Sequence, residues 1–98
     1  MERLKISELH ASVLPRRRAW ENRETTPIQI ALGNVYPFVV IQGHHELASR
    51  LARGTEEIEP DEFTIVVNPR ADEFAEINVQ SGCATMDDFT RSCQEGNF

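Results

Sequence analysis

The apolar positions of this chain change period several times, and each change marks an element. Near the start, Leu4, Ile6 and Leu9 alternate loosely with Lys5 and Ser7, which predicts a first strand over about residues 3–7. Pro15 ends that stretch. Residues 16–23 open after a proline and contain good helix formers, so they predict a short helix, closed by Thr25-Thr26-Pro27. Ile28, Ile30 and Leu32 then alternate with Gln29 and Ala31, which predicts a second strand over 27–32. Gly33-Asn34 is a turn signal. The run from Tyr36 to Ile41 predicts a third strand, buried on both faces and therefore central, with Pro37 at its start where a missing N–H does least harm. The two strands predict an antiparallel hairpin.

After Gly43 the period changes to that of a helix. His44, Leu47, Ala48 and Leu51 fall at i, i+3, i+4 and i+7, and Gly54 stands where a helix stops. Residues 55–60 predict an acidic loop, and 62–68 (EFTIVVN) a fourth, internal strand ended by Pro69. Residues 71–79 predict a helix with Phe74 and Ile77 turned inward. A last helix begins at Thr85, with Thr85 as N-cap, Asp88 in the capping-box position, and Met86, Phe89 and Cys93 on its buried side. The fold class that results is α+β: one domain over 1–98, a small mixed sheet of about four strands, and three to four helices.

The chemistry concentrates where the third strand runs into the helix, at Gly43-His44-His45-Glu46. The first N–H groups of a helix have no internal partner, and the helix dipole favours negative charge there, so a strand–glycine–helix corner is an anion-binding geometry. Glu46 already supplies a negative charge in the first turn and can pair with Arg50 one turn on. Adjacent histidines point about 100° apart on a helix and cannot hold one metal from the same face. His44 lies on the apolar stripe, which predicts a core histidine bonded to the backbone. His45 is the freer of the two and titrates near neutral pH if unperturbed. No nucleophile–base pair is legible, so no residue is assigned a catalytic role.

Composition sharpens this picture in two ways. The chain has 98 residues, 40% of them apolar, enough for one modest core and too few for two domains. It carries no apolar run long enough for a membrane span and no signal-peptide core at its start, which predicts a soluble cytoplasmic protein without a membrane partner. Cys83 and Cys93 form no metal-type spacing and read as reduced thiols. The net charge is −6, unevenly divided. Residues 1–55 hold eight Lys/Arg against five Asp/Glu, or +3, and residues 56–98 hold two against eleven, or −9. An acidic surface repels DNA, because nucleic-acid affinity rests largely on neutralised phosphates. Any phosphate contact must come from the first half, where Arg16, Arg17 and Arg18 surround Trp20 and offer charge with stacking. The acidic second half suits a basic protein.

The order of elements, with LKISELHAS, PIQIALGNVYPFVVIQGHHELASRLARG and EFTIVVNP, resembles the ParB/sulfiredoxin superfamily over most of residues 3–69. In ParB-like domains the strand before the corner ends in a Gly-Glu-Arg-Arg or Gly-His-His-Arg type sequence, and in sulfiredoxins in Gly-Cys-His-Arg. The resemblance implies a nucleotide site at the corner, for CTP or ATP with Mg²⁺, built from Gly43, His44, His45, Glu46 and Arg50. The departures are informative. The reacting cysteine of sulfiredoxin aligns with His44, so reduction of a sulfinic acid is not implied. The phosphate-contacting arginine of both branches aligns with Glu46, which reverses its charge. The chain leaves no room for the helix-turn-helix and dimerisation domains of a partition protein.

Two readings are therefore carried forward. In the first, the chain is a non-enzymatic interaction protein with no cofactor. It is an acidic ParB-like domain that binds and regulates or inhibits a basic or nucleic-acid-binding protein, sometimes by presenting a DNA-like surface, as small phage- and plasmid-encoded inhibitors do. Its binding residues are Glu56, Glu57, Glu59, Asp61 and Glu62. In the second, it is a ParB-like nucleotide- or DNA-binding, nuclease-like domain that uses the Gly43 corner and the arginines at 16–18. The reversed charge at Glu46 and the −9 second half favour the first.

Overall fold

In the computed structural model, which describes residues 2–15 and 27–96, the alternating segments pair into two small sheets. The expected helix over 16–23, with Arg16, Arg17, Arg18 and Trp20, lies outside the described residues. Strand β1 (Leu4–Lys5) is followed at once by a 3-10 turn, Ile6–Glu8. Strands β2 (Ile28–Ala31) and β3 (Val39–Gln42) form the antiparallel hairpin that their alternation predicts. The ladder shifts register between Gln29 and Ile30, so that β3 carries an extra residue just before the corner. Helix α1 (His44–Ala52) leaves the corner. Strand β4 (Glu57–Ile58), a 3-10 turn (Pro60–Glu62), strand β5 (Phe63–Val66) and helices α2 (Ala71–Gln80) and α3 (Met86–Glu95) complete the chain.

The α+β class holds, and the details of the sheet do not. Five short strands form two sheets in place of about four strands in one: β1 pairs with β4 antiparallel, and β3-β2-β5 form a mixed sheet with β5 parallel to β2. Strand β4 arises in what reads as an acidic loop, because Ile58 within it is fully buried and pairs opposite Leu4. The centre of the larger sheet is β2, not β3. Val39 and Val40 are nonetheless both buried, as their run predicts. The outer edge of β3 is closed by one residue: His10 N–H donates to Phe38 O at 2.9 Å and Val40 N–H donates to His10 O at 2.8 Å. Strand β5 is also an edge. It ends at Val66, and Val67 is 97% exposed, where an internal strand to residue 68 was expected.

The two faces of the larger sheet are covered by different helices. Ile28, Ile30, Val40 and Phe63 pack with Leu47 and Ala48 of α1 and with Met86, Phe89 and Cys93 of α3. Ala31 and Val39 turn the other way and meet Ala71 and Ala75 of α2. This is the period-2 alternation of strands read by helices on both sides. Helix α2 is rotated from its sequence expectation. Ala71, Ala75 and Asn78 face inward, whereas Phe74 is half-buried beneath the Arg70 guanidinium and Ile77 is 53% exposed. Two alanines let the helix lie close to the sheet. The inward amide of Asn78 donates to Val13 O at 2.8 Å and to Cys83 O at 3.2 Å, so its burial leaves no orphaned donor. Helix α3 follows its expectation: Thr85 Oγ1 accepts from Asp88 N–H, and the Asp88 carboxylate accepts from the N–H groups of Thr85 and Ala84.

Candidate functional site: the Gly43 corner and the acidic ridge

Gly43 adopts φ = +92°, a left-handed conformation that costs side-chain-bearing residues energy. A Cβ on it would also stand 3.0 Å from Ile28 Cα and 3.2 Å from Pro27 O. Glycine is thus required twice over, by dihedral and by close approach to β2. Leu47 N–H donates to Gly43 O at 3.0 Å, the first bond of α1. The corner is built as its sequence suggests.

His44 is buried, and Ser12 N–H donates to its Nε2 at 3.0 Å. Nε2 is therefore the lone-pair nitrogen, and the ring is neutral. Burial, followed by the neighbouring charge of His45, pushes its pKa down to about 3. A ring held neutral cannot counter a phosphate. Phe89 of α3 lies beside both histidines, with ring centroids 5.4 Å from His44 and 5.0 Å from His45. His45 is half-buried by this contact, and so less free than its sequence position suggests. The pair serves to dock α3 onto the start of α1.

Among the described residues Arg50, one turn on from the corner, is a cation paired with Glu46 of the first turn of α1, and two carboxylates hold it. Its Nε donates to Glu46 Oε1 at 3.2 Å, and its Nη1 bonds Glu62 Oε2. Burial alone would lower the pKa of the guanidinium. The bonds to Glu62 and then Glu46 outweigh it and hold the group above its ordinary value. The Glu62 carboxyl lies below the ordinary glutamate value, first because it accepts from Glu59 N–H at 2.9 Å and then because of Arg50. Glu59 in turn pairs with Arg3 at 3.0 Å. The result is a ladder, Arg3–Glu59–Glu62–Arg50–Glu46, that ties strand β1, the 3-10 turn and helix α1 together.

The ladder divides the five acidic residues singled out from the sequence. Glu59 and Glu62 are spent on it. Glu56, Glu57 and Asp61 are exposed and, among the described residues, have no ion-pair partner. Glu57 and Asp61 project from β4 and the turn after it, and Glu56 precedes β4, on backbone fixed by the β1 pairing and by Ile6 N–H donating to Glu56 O at 2.9 Å. Three carboxylates on an ordered ridge make a surface that attracts cations and repels phosphates. The Arg16, Arg17, Arg18 and Trp20 cluster lies outside the described residues, so the structure does not place it against either feature.

One anion site of this chain escaped the sequence reading, and it is filled. The turn between β2 and β3 points the N–H groups of Asn34, Val35 and Tyr36 at the Asp72 carboxylate, at 2.9, 3.0 and 3.0 Å. These bonds, Tyr36 first, hold the Asp72 carboxyl below its ordinary value. Gly33 is necessary here because a Cβ would lie 2.3 Å from Asp72 Oδ1. Tyr36 continues the clamp by bonding Glu76 through its hydroxyl. The separation of 36 residues or more between partners left no signal in one sequence beyond a glycine at the turn and an acid in the first turn of α2.

Among the described residues, no group of three His, Cys, Asp or Glu side chains could hold a metal ion, and no helix is long and apolar enough to cross a membrane. Cys83 and Cys93 are buried free thiols whose pKa burial pushes up to about 11 in each case. Comparison with protein-family models, curated proteins and solved structures gave no match.

Proposed function

We propose that this protein is a non-enzymatic interaction protein that uses the ridge of Glu56, Glu57 and Asp61 to bind a basic protein, one whose cationic surface otherwise holds nucleic acid. The observation that carries the reading is the closure of Arg50 between Glu46 and Glu62. The phosphate-contacting charge implied by the ParB/sulfiredoxin resemblance is absent at Glu46, and the nearest replacement is already neutralised. With His44 neutral as well, the corner offers a phosphate little beyond backbone N–H groups. The ridge, by contrast, keeps its charge available on ordered backbone. Binding then blocks the partner by occupying its phosphate-contacting surface.

The test compares the wild type with a triple variant, Glu56→Gln, Glu57→Gln and Asp61→Asn, which leaves the Arg3–Glu46 ladder intact. Both are immobilised and used for capture from a lysate of the cells that make the protein. The expected result is a basic, nucleic-acid-binding protein retained by the wild type alone and displaced by duplex DNA. It is also released in about 1 M salt, where the Debye length is about 3 Å. Equal retention by wild type and variant overturns the reading. So does nucleotide binding at the corner. A ligand at about 100 times its Kd adds about 2.7 kcal/mol to stability, so a rise in Tm with CTP or ATP plus Mg²⁺ that disappears in Arg50→Ala would restore the nucleotide reading.

A further inference from the structure

The outer edge of β5 differs from the other edge of its sheet. The edge of β3 is sealed by His10, whereas among the described residues no strand or bridge pairs with β5 on the side away from β2. An unpaired strand is a template for any extended chain, and natural proteins blunt such edges with Lys, Pro or bulges. Residues 63–67 contain none of these: the stretch is FTIVV, paired in even register with β2.

The edge also has a direction. Asp61, in the 3-10 turn, lies just before its N-terminal end, and Glu56 and Glu57 lie further back, beside and on β4. At the C-terminal end of β5 Val67 is 97% exposed, beside a cleft of about 250 Å³ and mixed polarity whose lining includes Leu32, Asn34, Val66, Val67, Asn68 and Asp72. Leu32 at the rim of that cleft is 55% exposed. Exposed aliphatic side chains at one end of a strand unpaired among the described residues, and uncompensated carboxylates at the other, describe one kind of occupant.

We infer that β5 is where the basic partner docks, by adding an extended segment antiparallel to the strand. The segment's first residue is aliphatic and packs on the exposed Val67 side chain. About five or six residues later, at the strand rise of about 3.3 Å each, it carries Lys or Arg against Asp61 and its neighbours. Antiparallel addition fits because such ladders pair slightly more stably than parallel ones. Main-chain bonds supply the affinity in this mode, and the two ends set orientation and choice of partner. A second copy of this chain is the poorer occupant, since it would bring another −6 and another acidic ridge to the same edge.

The inference rests on the acidic-ridge reading, and its test separates the two. The probes are two capped synthetic peptides of equal composition. One has five alternating valines and threonines followed by three lysines, and the other has the same residues in reverse order. The protein variants are Val67→Lys, which places a gatekeeper at the exposed end of the strand, and the triple ridge variant. Binding of the forward peptide at least tenfold tighter than the reverse, weakened at least tenfold by Val67→Lys and by the ridge variant, is the expected result. Equal binding of both peptides, abolished by the ridge variant and indifferent to Val67→Lys, overturns the strand-addition proposal and leaves the ridge reading standing. So does no binding of either peptide alongside successful capture of a basic protein. Self-association of the wild type that Val67→Lys reverses assigns the edge to a second copy and overturns the proposal as well.

Discussion

His44 is a titratable group kept neutral by its position, and that has a measurable consequence. Its ring nitrogen accepts from Ser12 N–H, and Phe89 and His45 crowd its other sides. In the unfolded chain a histidine protonates near 6.5, whereas in the fold it does so only near 3. Between those values the unfolded state binds the extra proton. The stability owed to neutral His44 is therefore fully present above 6.5 and is lost as pH falls toward 3, at a limiting slope of about 1.4 kcal/mol per pH unit. Thermal unfolding of the wild type and of His44→Gln at pH 7 and pH 5 checks this. The advantage of the wild type at pH 7 should shrink at pH 5. A difference that stays constant would mean that His44 protonates alike in both states. The carboxyls held low by their partners, Asp72, Glu62 and Glu73, also lose stability as pH falls into the carboxylate range, but wild type and variant carry them alike, so they cancel in the difference.

At the scale of elements, helix α2 separates two ways of facing the sheet. If Ala75 is the contact, Ala75→Leu forces extra methylenes against Ala31 and Val39 and costs about 1–3 kcal/mol, whereas Ile77→Ser falls within about ±0.5 kcal/mol. Chemical denaturation of the two variants decides it, and the reverse order of effects would restore the inward Ile77 of the sequence pattern. The pattern misled here because hydrophobicity was taken to mark the inner face. Close approach to a sheet selects small residues instead, and Phe74 and Ile77 were left outside. Elsewhere the local signals were enough. The β2–β3 hairpin, the Gly43 start and Gly54 stop of α1, and the Thr85–Asp88 cap of α3 were all legible, because each depends on residues a few positions apart. The β1–β4 pair, the His10 bridge and the central place of β2 were not, since each joins segments 25 or more residues apart. The same limit applied at the corner. Gly43, Glu46 and Arg50 could be read together, but Glu62 as the second clamp on Arg50 and Ser12 as the partner of His44 could not.

In the whole molecule, charge and strand edges are arranged unequally. Among the described residues, one edge of the larger sheet is closed by His10 and the other has no partner. One set of acids is balanced by Arg3 and Arg50, and the other stands out from the ridge. The same inequality appears across the layers. Helices α1 and α3 meet one face of the sheet through a broad apolar cluster, while α2 meets the other through a smaller one, Ala71 and Ala75 against Ala31 and Val39 with Tyr36, Ile41 and Val66 packed around them, together with the Asp72 clamp. That clamp gathers three amide hydrogens under one carboxylate. Lifting α2 from the sheet uncovers all three in a single event, so their exchange with solvent deuterium is a clock for the parting of two layers. Asn34, Val35 and Tyr36 should exchange at one common rate, slower than an exposed turn allows and faster than the β2–β3 ladder. Asp72→Asn should accelerate the three together while leaving the Val40 amide, which donates to His10 O at the far edge of β3, protected. Three unrelated rates would mean that the turn frays by itself and that the layers stay joined while it does.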